Sequence, residues 1–239
     1  MDIYAKVSFG KYLMINNTFI YIKMSKWIYI VFSVMFIALV IIFLLPVSPA
    51  QYHVREIPNF LTSEECDLII KIAKQKGLQN SGLYEGNIDT FNTNVRQSSQ
   101  AWLYDSEDMF IKELSSRISK LINIPVSHQE ALQLVHYGIG DKYEPHYDAC
   151  KTDCNRMNGK AGHRYLTVLI YLNDVEEGGE TRFPMINTSI KPEKGKIVVF
   201  KNVSLKTNAI ILEAQHGGDP VIKGEKWIAN KWIHINPYD

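Results

Sequence analysis

The first 50 residues and the rest of the chain carry different hydrophobic patterns. Residues 27–45 form an apolar stretch of 19 positions without a single charge. A helix that rises about 1.5 Å per residue needs about 20 residues to cross about 30 Å of hydrocarbon. Because the stretch has no polar face, we predict an uncleaved transmembrane helix over residues 27–45. A cleaved signal peptide stays open as an alternative, since Ser48 and Ala50 resemble a cleavage site, although such peptides usually have an apolar core of ~7–15 residues.

Two later segments carry apolar residues at helical spacing. In the first, Thr62 and Glu65 form a capping-box pattern and Gly77 supplies a C-cap. Its apolar positions are Leu68, Ile69, Ile72 and Ala73. The second helix is predicted to begin near Ser106, with an apolar face made of Phe110, Leu114, Ile118, Leu121 and Ile122. Residues 80–94 between them are rich in Gly, Asn and Asp, which predicts a mobile loop.

From residue 131 onwards the chain consists of short β-type segments separated by Gly, Pro or Asn. The predicted strands cover residues 131–137, 143–148, 165–172, 180–183, 196–200, 209–213 and 226–233. Two helices followed by such a run predict a mainly β fold with supporting helices (α+β), arranged as a sandwich or jelly roll. No G-x-G-x-x-G or P-loop motif occurs, which excludes the common nucleotide-binding classes.

Composition narrows the class of protein further. The 239 residues are 46% apolar, with 26 basic and 25 acidic side chains and a net charge of +1. These values exclude a disordered chain, a collagen-like repeat and a small disulfide scaffold. The absence of a basic surplus also argues against a nucleic-acid partner.

The charges are unevenly distributed along the chain. Residues 1–50 hold four Lys and one Asp, and all four Lys precede the apolar stretch. The positive-inside rule therefore keeps the N-terminus in the cytoplasm and predicts a single-pass type II membrane protein. The expected organisation is a cytoplasmic tail (1–26), a signal-anchor helix (27–45), a linker (46–54) and a domain (55–239) in the endoplasmic reticulum lumen or an equivalent secretory compartment.

Three cysteines and two glycosylation triplets bear on this location. Cys150 and Cys154 are close enough in sequence for a local disulfide, which would leave Cys66 unpaired, but the sequence does not decide whether the bond forms. Asn187-Thr-Ser and Asn202-Val-Ser fit the N-glycosylation pattern on the expected lumenal side.

Candidate metal ligands come from two places in the β-rich part. On a strand, His146 and Asp148 would face the same side, because residues two apart share a face. His216, in a turn-rich segment, is the natural third ligand. Two histidines and one carboxylate suit Fe(II) with open coordination positions, whereas zinc favours another Cys or His and calcium an all-oxygen set. A purely structural triplet is the competing interpretation of His146 and Asp148.

Lys226 opens the last predicted strand. Period two places it on one face with Ile228, Asn230, Trp232 and His234, and places Lys231 on the other face. A Lys that points inward needs an anionic partner, because an unpaired buried ammonium is very costly. A dicarboxylate cosubstrate would supply it. A surface Lys on an edge strand is the alternative.

Four segments together resemble a known family. They are Gln133-Leu-Val-His-Tyr-Gly, Tyr143-Glu-Pro-His-Tyr-Asp, Tyr171-Leu-Asn-Asp-Val-Glu-Glu-Gly-Gly-Glu-Thr-Arg-Phe-Pro and Gly224-Glu-Lys-Trp-Ile-Ala-Asn-Lys-Trp-Ile-His. In order and spacing they resemble the catalytic domain of prolyl 4-hydroxylases, most of all the compact algal, plant and viral forms. The resemblance implies a double-stranded β-helix (jelly roll) and hydroxylation of peptidyl proline to 4-hydroxyproline. It further implies Fe(II), 2-oxoglutarate and O2, release of succinate and CO2, and a requirement for L-ascorbate.

The resemblance also implies roles for individual residues. It assigns iron to His146, Asp148 and His216, and the distal carboxylate of 2-oxoglutarate to Lys226, Tyr137 and Thr181. It places Tyr143, Arg164, Trp232 and His234 along a groove for a proline-containing peptide. Arg96 lies on a matching strand, and residues 80–94 match a flexible lid.

Two other functions are weighed against this one. A 2-oxoglutarate-dependent hydroxylase could act on another residue or on a small molecule. A catalytically silent jelly-roll binding module would keep the fold without the chemistry, and the intact His146, Asp148, His216 and Lys226 argue against it.

Overall fold

The computed structural model describes residues 11–15, 18–22, 30–33, 35, 52, 54–85, 88–90, 92, 94–150 and 159–238. The chain divides into two compact units, Met1–Gln51 and Tyr52–Asp239. In the first unit, β1 (Lys11–Ile15) and β2 (Thr18–Ile22) pair as an antiparallel hairpin, which the sequence interpretation did not predict.

The predicted transmembrane segment falls mostly outside the described residues. Of residues 27–45 only 30–33 and 35 are described, and these are helical and exposed. Across the described parts of the chain, no helix combines the length and apolar character needed to cross a membrane. The transmembrane helix therefore stays a prediction from the sequence.

In the part of the second unit that the structure describes, two α-helices begin and end at recognisable caps. Helix α1 (Ser63–Lys76) starts at Thr62, whose side chain accepts a hydrogen bond from the Glu65 N–H, and ends at Gly77, as predicted. Helix α2 (Met109–Ile122) starts three residues later than predicted from Ser106. The reason is that the Asp108 carboxylate accepts from the first free N–H groups of the helix and fixes its start there. Single 3-10 turns occupy Val126–His128, Gly159–Ala161, Pro184–Ile186 and Leu212–Ala214.

The described residues of this unit form fifteen strands. They are β3 (Arg55–Ile57), β4 (Gln79–Asn80), β5 (Leu83–Glu85), β6 (Ile88–Thr90), β7 (Ser99–Leu103), β8 (Leu132–Tyr137), β9 (Tyr143–His146), β10 (Arg164–Tyr171), β11 (Glu177–Gly178), β12 (Thr181–Phe183), β13 (Thr188–Ile190), β14 (Ile197–Lys201), β15 (His216–Gly218), β16 (Val221–Lys223) and β17 (Lys226–His234).

All strand pairs are antiparallel, and two sheets dominate. The larger has seven strands in the order β3-β14-β10-β17-β8-β7-β4, and the smaller has four in the order β13-β12-β15-β9. The pairs β11–β16 and β5–β6 form two further, two-stranded sheets. This architecture, mainly β with few helices, is consistent with a jelly roll.

Two apolar cores lie on opposite faces of the seven-stranded sheet. Alternate residues of β10 show the division: Val168 and Ile170 join the core with the helices, whereas Leu169 and Tyr171 join the second core. The second core also contains Phe183 of β12, so it lies between the two sheets. The period of two in the sequence is therefore what builds the sandwich.

Two predicted segments differ in the structure. Residues 209–213 do not form a strand. Ile210 makes one isolated bridge to Val203, and the 3-10 turn Leu212–Ala214 then leads into β15. Residues 80–94, predicted as a loop, include the β5–β6 hairpin. The Gly86-Asn87 pair between these strands is a two-residue sequence that favours a hairpin turn.

Candidate metal and dicarboxylate site

Two histidines face each other on neighbouring strands of the four-stranded sheet. His146 ends β9 and His216 opens β15, and the two are register partners. The Nδ1 atom of each ring lies 2.9–3.0 Å from the carbonyl oxygen two residues earlier in the chain. A carbonyl only accepts, so both Nδ1 atoms carry a proton, and in the neutral ring Nε2 keeps its lone pair. A histidine that binds a metal through Nε2 has this arrangement.

Asp148 completes the group from outside the strand. The predicted strand 143–148 ends at His146, and Asp148 lies in the bend that follows. Its Oδ1 is 3.7 Å from Nε2 of His146, and its Oδ2 is 3.6 Å from Nε2 of His216. The predicted ligands thus converge, with one ligand atom of each within 4.8 Å of the others. The bend after β9, rather than period two along a strand, brings the carboxylate to the histidines.

The protonation of this group suits a cation. Burial, helped by the neighbouring His216, lowers the pKa of His146 and keeps its imidazole neutral. Burial opposes the negative charge of Asp148, but the adjacent His216 and His146 outweigh it and hold its pKa below the usual value. A buried carboxylate beside two free imidazole lone pairs fits Fe(II) and leaves coordination positions for other ligands.

Lys226 lies between the two sheets with its ammonium buried. It opens β17 opposite Tyr137 on β8, is 2% exposed, and its Nζ is 5.3 Å from the centre of the Tyr137 ring. Among the described residues, none forms an ion pair or hydrogen bond with this Nζ, and burial lowers the pKa of Lys226 to about 8. A buried, unpaired cation of this kind is a binding site for an anion.

Thr181 and Gly218 mark the other wall of this pocket. They are register partners on β12 and β15. A Cβ on Gly218 would lie 3.6 Å from Nζ of Lys226, an ordinary van der Waals contact, so the ammonium lies directly beside β15. Thr181 accepts a hydrogen bond of 2.7 Å from the hydroxyl of Tyr171, a residue whose role the sequence interpretation did not identify.

The two parts of the site lie near the two ends of the short strand β15. His216 opens this strand, and Gly218 at its end lies next to Nζ of Lys226. This arrangement suits a ligand with two acidic groups, one for the metal and one for the buried ammonium.

Tyr143 and Arg96 form one side of the opening next to His146. The Tyr143 ring stacks on His146 with 3.6 Å between ring centres. The guanidinium of Arg96 lies 4.8 Å from the Tyr143 ring centre, and burial raises the pKa of Tyr143 to about 12. Tyr143 therefore presents a neutral ring, and Arg96 a cation, beside the metal ligands.

Arg164 and Trp232 form a second side, and Glu130 organises it. Arg164 makes two hydrogen bonds to the Glu130 carboxylate, of 2.5 and 2.9 Å, and its guanidinium lies 3.6 Å from the Trp232 ring centre. His234 is 1% exposed and its Nε2 is 2.7 Å from the same carboxylate. Its Nδ1 is 3.0 Å from the carbonyl of Gly162. Arg164 is close enough to Asp148 to help lower its pKa, so Arg164 and the Trp232 ring against it lie near the metal ligands, whereas His234 contacts Glu130. Glu130 was missed because no sequence pattern marks it.

A metal site of two histidines and one carboxylate inside a jelly roll defines the non-haem Fe(II) oxygenase class. Residues 132–234 match the family model of the 2OG-Fe(II) oxygenase superfamily. This range includes all three metal ligands together with Lys226, Tyr137 and Thr181.

Individual relatives narrow the class. The chain is 39% identical to probable prolyl 4-hydroxylase 10 of Arabidopsis thaliana, over 75% of this chain and 68% of that protein. It is 34% identical to a putative prolyl 4-hydroxylase of Acanthamoeba polyphaga mimivirus, over 73% and 71% respectively. A viral collagen prolyl hydroxylase from Paramecium bursaria Chlorella virus-1, solved as a 2-oxoglutarate complex, superposes with a TM-score of 0.62 at 32% identity, covering 79% of this chain and 98% of that one. The chain belongs to the prolyl 4-hydroxylase family of 2-oxoglutarate- and Fe(II)-dependent oxygenases.

Proposed function

We propose that this protein hydroxylates peptidyl proline to 4-hydroxyproline, with 2-oxoglutarate converted to succinate and CO2. The observation that carries the proposal is the combination, in one inter-sheet space, of a His-Asp-His metal site with a buried unpaired lysine. Bound Fe(II) with 2-oxoglutarate and O2 supplies the oxidising chemistry, for which ascorbate keeps the metal reduced. The protein supplies position and exclusion of water.

The residues around the pocket divide this work. Lys226 binds the distal carboxylate of 2-oxoglutarate as a charge-assisted partner. The Thr181 hydroxyl already accepts from Tyr171, so its own proton is free to be donated to that carboxylate. Tyr137 lines the same pocket opposite Lys226. His146, Asp148 and His216 hold the metal at the other end.

The peptide lies across the opening between Tyr143 and Arg164. Tyr143 stacks on the metal ligand His146, and the Arg164 guanidinium lies against the Trp232 ring. His234 contributes by fixing Glu130, which in turn fixes Arg164. Proline presents no N–H and a rigid ring, so flat aromatic surfaces with one fixed cation suit it. The hairpin within residues 80–94 is proposed as the lid over this opening.

The test of this function is product analysis. The full chain is incubated with proline-rich peptides, Fe(II), 2-oxoglutarate and ascorbate, and succinate and peptide masses are measured. We expect a gain of ~16 Da on proline, as one oxygen atom adds, together with one succinate per hydroxylation. The same gain on a different residue or on a small molecule identifies the alternative hydroxylase. No 2-oxoglutarate turnover with any peptide identifies a silent binding module.

We further propose that residues 27–45 anchor the protein as a single-pass type II membrane protein with the oxygenase domain in a secretory lumen. The uncharged stretch and the four preceding Lys support this arrangement. A reporter fused after Asp239 tests the orientation, and extraction of membranes at alkaline pH tests the anchor. A cytosolic reporter signal contradicts the orientation, and release of the intact protein contradicts the anchor.

A further inference from the structure

The three metal ligands are held in two different ways. Each histidine is fixed within the four-stranded sheet, by strand pairing and by a hydrogen bond to a nearby backbone carbonyl. Asp148 lies beyond the end of β9 and has no strand partner. Its carboxylate must therefore be fixed by a side chain from elsewhere in the fold.

That side chain is Thr167 in the middle of β10, on the opposite sheet. Its hydroxyl is 2.6 Å from Oδ2 of Asp148, and the residue is 1% exposed. An ionised carboxylate only accepts, so the single hydroxyl proton of Thr167 is donated to Asp148. One short hydrogen bond therefore spans the sandwich and ties the third ligand to the seven-stranded sheet.

Asn202, just after β14, fixes the direction of this hydroxyl. Its Nδ2 lies 2.8 Å from Oγ1 of Thr167, and the residue is 1% exposed. Because the Thr167 proton is used for Asp148, the group facing the hydroxyl oxygen must be a donor, which the amide NH2 is. Two backbone hydrogen bonds, to Tyr165 and from Ile211, hold Asn202 in place.

From this geometry we infer that Thr167 and Asn202 are positioning residues that set the orientation of Asp148 for metal binding. The inference rests on the iron-binding part of the proposed function. Partners of metal ligands that are not ligands themselves typically change metal affinity by about 10- to 100-fold when they are removed. Among the described residues, neither side chain forms a hydrogen bond with Lys226, Tyr137 or Thr181, so we expect their effect to fall on the metal.

The experiment measures Fe(II) affinity of the full chain by anaerobic equilibrium dialysis, without peptide, together with thermal unfolding. Thr167→Val removes the hydroxyl at nearly constant shape, and we expect the Kd for Fe(II) to rise about 10- to 100-fold. Thr167→Ser restores the hydroxyl and should return the Kd to within a few-fold of the wild type. Asn202→Leu leaves the hydroxyl but frees its direction, so a smaller increase is expected.

A matched control comes from the helical side of the sheet. Ser115 is also 1% exposed and donates a 2.8 Å hydrogen bond to the carboxylate of Asp105. Ser115→Ala removes a comparable buried bond and should lower Tm without changing the Kd for Fe(II). In steady-state assays, saturating Fe(II) should restore turnover of Thr167→Val, because the defect lies in metal occupancy.

Each outcome decides the inference. A folded Thr167→Val protein with the wild-type Kd overturns it, as does a Kd that Thr167→Ser fails to restore. If Thr167→Val does not fold, Thr167→Ala and Asn202→Leu replace it, and an unchanged Kd in both overturns the inference. If the wild-type chain itself does not bind Fe(II), the proposed function fails instead, so the two failures are distinguishable.

Discussion

Lys226 and Lys231 are five residues apart on the same strand, both are buried, and they face opposite sides of the sheet. Lys231 faces the helices, where its Nζ lies 3.3 Å from Asp105. Lys226 faces the second sheet, where Asp219 and Glu180 act on its charge from a distance but no carboxylate among the described residues forms an ion pair with it. The first lysine is already neutralised by the protein, and the second is prepared for an anion from outside.

Two carboxylates show the same division, one partly exposed at Asp105 and one buried at Asp148. Asp105 and Asp148 each accept a hydrogen bond from a buried hydroxyl, Ser115 in one case and Thr167 in the other. Asp105 has a lysine beside it, whereas Asp148 has two imidazoles with free lone pairs. The helical face balances its charges internally, and the inter-sheet face leaves one positive and one negative group for ligands. Buried charges without an internal partner are therefore the mark of the functional face.

The largest expected effect comes from the carboxylates. Asp148→Ala leaves two metal ligands, and turnover should fall by at least about 10³-fold, since a bound metal contributes several kcal/mol. Asp105→Ala should leave the kcat of the folded protein unchanged. Succinate release from the two variants, assayed with added Fe(II), makes the comparison. Wild-type turnover by Asp148→Ala would contradict the assignment of Asp148 as a metal ligand.

The lysines give the next largest effect. Lys226→Met should raise the KM for 2-oxoglutarate about 10- to 100-fold, as a charge-assisted hydrogen bond contributes about 1.5–3 kcal/mol. The ligand-free protein should become more stable, by up to about 3 kcal/mol, because an unpaired buried ammonium is removed. Lys231→Met leaves Asp105 without its ammonium partner. It should lower the free energy of unfolding by about 1–3 kcal/mol and leave the KM for 2-oxoglutarate unchanged. Steady-state kinetics and thermal unfolding of both variants test this. The same change in KM and in stability from both would contradict the functional difference between the inter-sheet face and the helical face.

A pH series should separate cosubstrate binding from stability. The pKa of Lys226 falls from 10.5 to about 8 on burial, so its ammonium deprotonates above about pH 8 in the ligand-free protein. The KM for 2-oxoglutarate should be level below pH 8 and rise by up to about tenfold per unit above it. Stability of the ligand-free protein should increase over pH 8–10.5, since the unfolded chain binds the proton more tightly there. Lys226→Met should show neither dependence, and a flat KM profile in the wild type would exclude Lys226 as the charge sensed.

The smallest expected effect lies on the helical side. Thr62→Ala removes the capping box of α1 and should cost about 1 kcal/mol of stability. The helix packs on the face away from the metal, so kcat and the KM for 2-oxoglutarate should not change. Thr62→Ser serves as the control that keeps the cap. A changed KM in Thr62→Ala would show that the helical face also shapes the cosubstrate pocket.

Sequence alone could predict the parts of this fold that follow local rules. The cap at Thr62 and the alternation along β10 and β17 depend on neighbours in sequence, and the structure confirms them. The start of α2 was placed too early because an apolar period does not show which polar residue caps it. Residues 209–213 look like a strand but lack a partner strand, which only the tertiary fold can supply.

The same distinction applies to the site. The metal ligands and Lys226 were predictable because their residue types and motifs carry the chemistry. Glu130 and Asn202 were not, because each acts through a residue about 34–35 positions away in sequence. Their hydrogen bonds exist only once β10 lies beside its neighbours, so no local pattern encodes them.

The burial of Asn202 has a further consequence for modification. Its Nδ2, the atom to which an N-linked glycan attaches, is the donor to Thr167, whereas Asn187 lies exposed after the turn Pro184–Ile186. In a secretory compartment the folded domain would thus offer only Asn187 of the two triplets. A sugar added to Asn202 before folding would prevent the bond that orients Asp148. The Asn202 amide can therefore either carry a glycan or donate to Thr167, but it cannot do both.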